Sequence, residues 1–382
     1  MTILEHYFYL SDLAVTDKRS LQKLCCLFKD DAIIEANDGH RYSGRREIDS
    51  FFTEFFSRNA ETRHLYDIRE LSDTVQQANW GVVCRRKNGA YIALTGTDIA
   101  EVEEGKISHL DEGKFMIIDN IQHVMFPIAA QVEKLEKAKV DKAILFCTTP
   151  HPERARSYKE LKEEMSILFK VLSGDGLQVV SLDRMKQNNQ KVVQAIQKYP
   201  QKFYGFGSVP LGLSLNDTID WIEEQIVRNG LKGLGEFTPG SDEQVGQLET
   251  IFQALAKFPS LPVWVHTFNP VSLKGIQILM NLTKKYPHIS VIFGHMGGYY
   301  WMNVIDFVKE TPNAFIDLSG TFSTLAVRMA ITEIPQKCLF GSDAPYGEPF
   351  MSKELVEYLA PTDTIRDMVL GGNIQKLLEL SN

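Results

Sequence analysis

Basic residues, cysteine and long apolar runs are all scarce in this 382-residue chain, and each shortage removes a class of protein. Lys and Arg number 41 against 49 Asp and Glu, a net charge of −8. Gripping a phosphate backbone normally needs a basic face, so no nucleic-acid partner is expected. There are five cysteines. Cys25 and Cys26 are adjacent, Cys84, Cys147 and Cys338 stand apart, and none forms a CxxC pair. That excludes a disulfide framework and a zinc knuckle, leaving free thiols of a reducing compartment as the expectation. No segment approaches the roughly 18 continuous apolar residues of a membrane span. The opening MTILEHYFYLSDLAVTDKRS has no basic stretch followed by an apolar run, so it does not read as a signal peptide. A cytoplasmic protein with no membrane partner is expected.

What is present is an ordinary globular composition, 44% hydrophobic and 24% charged, over a length that implies two domains. Residues 1–113 carry one pattern. Asp17 to Phe28 places Leu21, Leu24, Cys25 and Phe28 at helical spacing, and Arg46 to Phe56 reads as a second helix. A strand at Ala32–Glu35 and a turn at Asn37-Asp38-Gly39 lie between them. Strand-forming segments follow at His64–Ile68, Gln77–Arg85, Ala90–Ala100 and Lys106–His109, with Asn88-Gly89 as a hairpin turn. Helices followed by a meander predict an α+β domain.

Residues 114–382 change rhythm. Eight short apolar runs alternate with amphipathic segments: Phe115–His123, Lys142–Cys147, Phe203–Pro210, Leu231–Thr238, Pro262–Phe268, Ser290–Met296, Ala314–Gly320 and Cys338–Ala344. Fully apolar strands between helices are what a buried parallel sheet requires, and eight repeats over this length predict an α/β (β/α)₈ TIM barrel. The rival open sheet would carry a glycine-rich phosphate loop after its first strand, and none is present.

Chemistry in such barrels gathers at the C-terminal ends of the strands. His123, Glu236, His266, His295 and Asp343 end five of the runs. A single strand histidine is most often a hydrogen-bonded core residue, and a salt bridge to Lys232 or Arg154 is an ordinary use for Glu236. Three histidines and two carboxylates at one end of five strands are a donor set for zinc or another first-row divalent ion. Trp264, Phe268, Tyr299, Trp301 and Tyr346 fall near the same end, either as core or as the apolar wall of a substrate pocket.

Two family resemblances accompany these patterns. The stretch LFKDDAIIEANDGHRYSGRREIDSFFTEFF, with RHLY and VEEGKI, resembles the SnoaL-like branch of the nuclear-transport-factor-2-like superfamily. That resemblance implies a cone-shaped sheet wrapped on helices, with a pocket for which Asp31, His64, Tyr66 and Trp80 are polar candidates, and pairing into a homodimer. GLKGLGEF, LPVWVHTF, SVIFGHMGG, CLFGSDAPYG and the closing VLGGNIQKLLEL resemble the amidohydrolase-related family, similar to aminocarboxymuconate-semialdehyde decarboxylase. The family binds its metal with an Asp-x-His-x-His motif on strand 1, a strand 5 histidine and the strand 8 aspartate. By motif match, the resemblance gives His123, His266 and Asp343 metal roles, with Glu236 as a further oxygen donor. It makes Asp343 the general base and His295 the group that polarises substrate or positions water. Strand 1 departs from the motif, because Ile121 stands where the first histidine belongs and a hydrocarbon offers no lone pair. Asp119, Ile121 and His123 are expected to alternate along the strand and all face inward. The functional expectation is a metal-dependent hydrolase or decarboxylase acting on a small organic substrate. The alternative is a metal-free ligand-binding or scaffold protein.

Overall fold

The computed structural model describes residues 1–36, 40–113, 116–147, 150–173 and 182–380. The expected Asn37-Asp38-Gly39 turn, and the start of the first barrel run at Phe115, lie outside the described residues. The chain divides into two compact units, Met1–Phe115 and Met116–Ser381.

The first unit is a six-stranded sheet with three helices. Its strands are β1 (Phe28–Glu35), β2 (Arg41–Ser43), β3 (Asn59–Ser72), β4 (Val75–Arg86), β5 (Tyr91–Glu103) and β6 (Lys106–Asp111), in the order β2-β1-β6-β5-β4-β3. Only β1 and β6 pair in parallel; the other pairs are antiparallel. Helix α1 (Ile3–Ala14) has no counterpart in the sequence reading. Its start is fixed by a capping box, in which Glu5 donates its backbone N–H to Thr2 Oγ1 (3.2 Å) and accepts from the Thr2 backbone N–H (2.6 Å). Helix α2 is Lys18–Cys25, capped by Asp17 accepting from the Arg19 and Ser20 N–H groups, and α3 is Arg45–Ser57. Leu4, Phe8, Leu24, Ile48 and Phe52 of the helices meet Phe28, Ala78 and Ala100 of the sheet in one core.

The four expected pocket residues of this unit separate. Asp31 is exposed on β1 and takes no part in the interior, a correction to its expected role. His64 Nδ1 lies 2.6 Å from Asp12 Oδ1, and the Tyr66 ring stacks on Phe8 at 4.9 Å. Trp80 donates Nε1–H to the buried Asp98 at 2.7 Å. Burial pushes the Asp98 carboxyl up to about 7, against the lowering effect of that bond.

In the second unit the strands are β7 (Ile118–His123), β8 (Lys142–Phe146), β9 (Phe203–Gly205), β10 (Leu234–Phe237), β11 (Val263–His266), β12 (Val291–Gly294), β13 (Ala314–Asp317) and β14 (Cys338–Leu339). Each lies inside one of the eight apolar runs. The ladders are all parallel but do not form the single closed ring expected from the repeats. They make two sheets, β7-β8-β9 and β10-β11-β12-β13-β14. Lone parallel bridges, Gly207↔Leu234 and Gln122↔Ala344, link the facing edges. The physical reason is shortness: β9 and β14 run only three and two residues before their chains turn off the ladder. Side chains caged by the strands, among them Ile118, Ile121, Ile144, Phe146, Phe206, Trp264, Ile292 and Leu339, form an apolar cluster. Each large member removed from water contributes about 1.5–3 kcal/mol. Among the described residues no helix is long and apolar enough to cross a membrane.

Candidate metal centre

The site sits at the ends of five strands. On β11, Val263, Trp264, Val265 and His266 are all buried. Trp264 packs edge-on to His295, with centroids 5.2 Å apart, and donates Nε1–H to Asn120 Oδ1 at 3.0 Å. It is fully buried and floors the site; it does not wall a pocket. Glycine at 294 permits this, since a Cβ there would lie 2.1 Å from the Trp264 ring. His295 follows β12 with φ 55°, and Asp343 follows β14 with φ 58°. Left-handed backbone at non-glycine residues is uncommon and concentrates at functional sites.

Glu236 is the hub. Its Oε1 lies 3.1 Å from His266 Nδ1 and 3.6 Å from His295 Nε2, and its Oε2 lies 3.5 Å from His123 Nε2. His123 Nε2 is also 3.0 Å from Asp343 Oδ1. The expected salt-bridge alternative is therefore not what Glu236 makes: Arg154 lies over the Phe126 ring instead. Candidate donor atoms of Glu236, His266 and His295 all fall within 4.8 Å of one another.

Hydrogen bonding assigns the tautomers of two rings. The Asn269 carbonyl, which can only accept, lies 3.1 Å from His266 Nε2, so that nitrogen carries the proton. Ser319 donates its hydroxyl proton to Asp317 Oδ2. Its oxygen lone pair then accepts from His295 Nδ1 at 3.0 Å. A neutral imidazole is left with one lone pair, on Nδ1 of His266 and Nε2 of His295, and both face Glu236. Lone pairs opposed to a carboxylate repel unless positive charge lies among them, as ring protons or as a cation. The same demand appears in the acidities. Burial disfavours the His295 cation, but the Glu236 hydrogen bond and the Asp343, Asp317 and Glu236 charges outweigh it, lifting its pKa to about 9. His123 is likewise raised, burial being overcome by Asp343 and Glu236. Burial pushes the Glu236 carboxyl up, yet His266, His295 and His123 together hold it well below the usual carboxylate range. Imidazole and carboxylate donors with their outer N–H groups tied to oxygen fit a divalent ion.

Strand β7 departs from expectation. Its register shifts between Asp119 and Gln122, so alternation breaks. Asp119 turns away from the site: it accepts from Gln122 Nε2 at 2.7 Å and from Ser342 Oγ at 2.5 Å. Gln122 passes the chain of hydrogen bonds to Gln131 on helix Ile128–Ala138. Ile121 is fully buried in the apolar cluster with Phe146 and Trp264. Asn120, unremarked in the sequence, reaches Asp317 Oδ1 at 2.7 Å. A Cβ at Gly341 would lie 2.3 Å from Asp317 Oδ1, so only glycine leaves that pair room. Asp317 and Ser319 were the discoverable omissions, since they too are polar residues ending an apolar run.

The aromatic candidates divide. Phe268 and Tyr299 have ring centroids 5.2 Å apart, and Phe322 joins both, 6.2 Å from Phe268 and 5.1 Å from Tyr299. Tyr346 lies 5.5 Å from the His123 ring. Trp301 opens the helix Trp301–Glu310 and shares no ring contact with these residues among the described ones.

Residues 153–380, more than half of the chain, match the amidohydrolase family, and the chain belongs to it. No curated protein matches it. Among solved structures the second unit is similar to 2,6-dihydroxybenzoate decarboxylase from Rhizobium (16% identity, 70% of this chain and 99% of that one, TM-score 0.51). It is also similar to a dihydroxybenzoic acid decarboxylase from Polaromonas sp. JS666 with bound manganese and the inhibitor 2-nitroresorcinol (17% identity, 70% and 98%, TM-score 0.50). At these identities the likeness is one of fold. An NTF2-like protein of unknown function from Exiguobacterium sp. 255-15 is 28% identical and covers 29% of this chain and 95% of that one, with a TM-score of 0.27.

Proposed function

We propose that the chain is a divalent-metal-dependent enzyme, a hydrolase or decarboxylase of a small organic substrate, with zinc as the ion. The observation that carries this is the convergence of His266, His295 and His123 on the buried Glu236 carboxylate, with Asp343 alongside. Glu236, His266, His123 and Asp343 would hold the ion. Glu236 supplies the donor that Ile121 cannot.

When bound, such an ion acidifies water and offsets charge growing on substrate oxygens. The residues themselves then have separate tasks. Asp343 accepts the proton in the hydrolytic reading, because it is the least buried member of the cluster and opens on the neighbouring cavity. Protonated on both nitrogens, the form its raised pKa favours, His295 steadies developing negative charge through Nε2–H, while Ser319 and Asp317 fix its ring. His266 is oriented by the Asn269 carbonyl. Trp264 closes the floor of the site onto the apolar cluster beneath it.

Chelator-competition titration with zinc tests the proposal: one tight equivalent per chain supports it, and no binding overturns it. Ile121 favours the second reading, a metal-free ligand-binding protein, and the same titration separates the two. We further propose a homodimer formed through the first unit's sheet, supported by exposed Leu65, Val83 and Tyr91 on adjacent strands.

A further inference from the structure

Beside Asp343 lies a cavity of about 440 Å³, bounded by the segments after β13 and β14 and by helix Pro349–Leu359. That volume is in the range of small-molecule sites, roughly 300–1,000 Å³. It reaches the metal centre at three places. Asp343 lines both, Tyr346 stands edge-on to His123, and Gly320 abuts His295 so closely that a Cβ would lie 2.7 Å from its Nδ1.

The lining has a definite chemistry. Leu318, Val327, Phe340, Leu355, Val356 and Met351 supply its apolar wall, and Leu318, Val327, Phe340 and Val356 are buried. Among the described residues the lining has no Lys, Arg or His. Its two carboxylates are already answered, Glu348 by Lys134 Nζ at 2.5 Å and Asp343 by His123 at 3.0 Å or by the ion that both would hold. Two of its hydroxyls are also engaged: Ser342 donates to Asp119 and Thr321 to the Met296 sulfur. No charge of either sign is left over for a ligand, and a charged group buried without a partner is strongly disfavoured.

We infer that this cavity receives an uncharged, largely apolar, ring-sized group of the substrate, and that Met351 and Leu355 decide which group fits. The inference rests on the reading of the neighbouring cluster as the reactive centre. Substrates whose non-reacting end is a second carboxylate or an ammonium group are then excluded.

Three probes that share one ring and differ in charge provide the test: 4-methylphenol, 4-hydroxybenzenesulfonate and 4-hydroxybenzylammonium. Each is titrated into the full chain and followed by ligand-observed NMR. The neutral probe is expected to bind at least tenfold more tightly than either charged one. Met351→Trp and Leu355→Trp, which fill the cavity, are expected to weaken it at least tenfold. Met351 is 66% exposed, so its variant keeps the fold even where Leu355→Trp does not, and circular dichroism verifies this. Equal binding of the three probes, or unchanged 4-methylphenol binding in folded Met351→Trp, overturns the inference. Zinc affinity is measured on the same samples. A wild type that binds 4-methylphenol selectively but no zinc supports the cavity assignment while overturning the metal-dependent reading.

Discussion

Ser319 and Asp317 show how much of the candidate metal centre lies behind the side chains that face its middle. Neither faces Glu236, yet together they decide which nitrogen of His295 does. Replacing Ser319 with alanine removes the acceptor for Nδ1–H and lets the ring turn or change tautomer. Ser319→Ala is therefore expected to change the proton distribution of the His295 ring, read from its ring-nitrogen NMR shifts, with zinc affinity and the melting temperature little changed. Ile121 calls for the opposite kind of argument. Being fully buried among Phe146, Trp264 and Leu339, it is expected to lose about 2–5 kcal/mol of stability on Ile121→Ala, read by urea denaturation. The sequence identified Ile121 as a missing ligand. It could not reveal that the position is filled by packing, because a register shift between Asp119 and Gln122 leaves no trace in residue type.

At the level of elements, the eight parallel strands of the second unit were readable because strands covered on both faces must be continuously apolar. Helix α1 was not: Leu4, Tyr7 and Phe8 keep the i, i+3, i+4 spacing, but Ile3, Tyr9, Leu10 and Leu13 put apolar side chains on the other sides and blur the 3.6-residue period. Asp31 misled for a similar reason: a carboxylate in a strand reads the same whether it points inward or, as here, to solvent. The buried acid of the first unit is instead Asp98 on β5, bonded to Trp80 of β4. Its carboxyl, raised by burial to about 7, holds its proton in the fold to a higher pH than in the unfolded chain, where about 3.9 is usual. Between those values the native state binds more protons. Its contribution is therefore complete below about pH 4 and declines as pH rises to about 7, by an amount on the order of a few kcal/mol. Asp98→Asn keeps an acceptor for Trp80 but cannot ionise. Urea denaturation from pH 4 to 7, followed by tryptophan fluorescence, is expected to show a stability decline in the wild type that is absent from the variant. Parallel profiles would contradict this account of Asp98.

For the whole molecule, one chain joins an α+β unit to an amidohydrolase-family unit. The proposed dimer and the proposed metal centre are assigned to different units and can be tested separately. Light scattering is expected to give twice the chain mass at micromolar concentration. Leu65→Lys combined with Val83→Lys, placed on neighbouring strands of the exposed sheet face, is expected to halve it while zinc affinity stays unchanged. The central claim, that Glu236 and the histidines around it hold a divalent ion, is tested most directly by zinc titration of wild type and Glu236→Gln against a chromophoric chelator. The account predicts one tightly bound zinc per wild-type chain and at least a tenfold weaker site once the central carboxylate is neutralised. A wild type that binds no zinc, or a folded Glu236→Gln that binds it equally well, would contradict it.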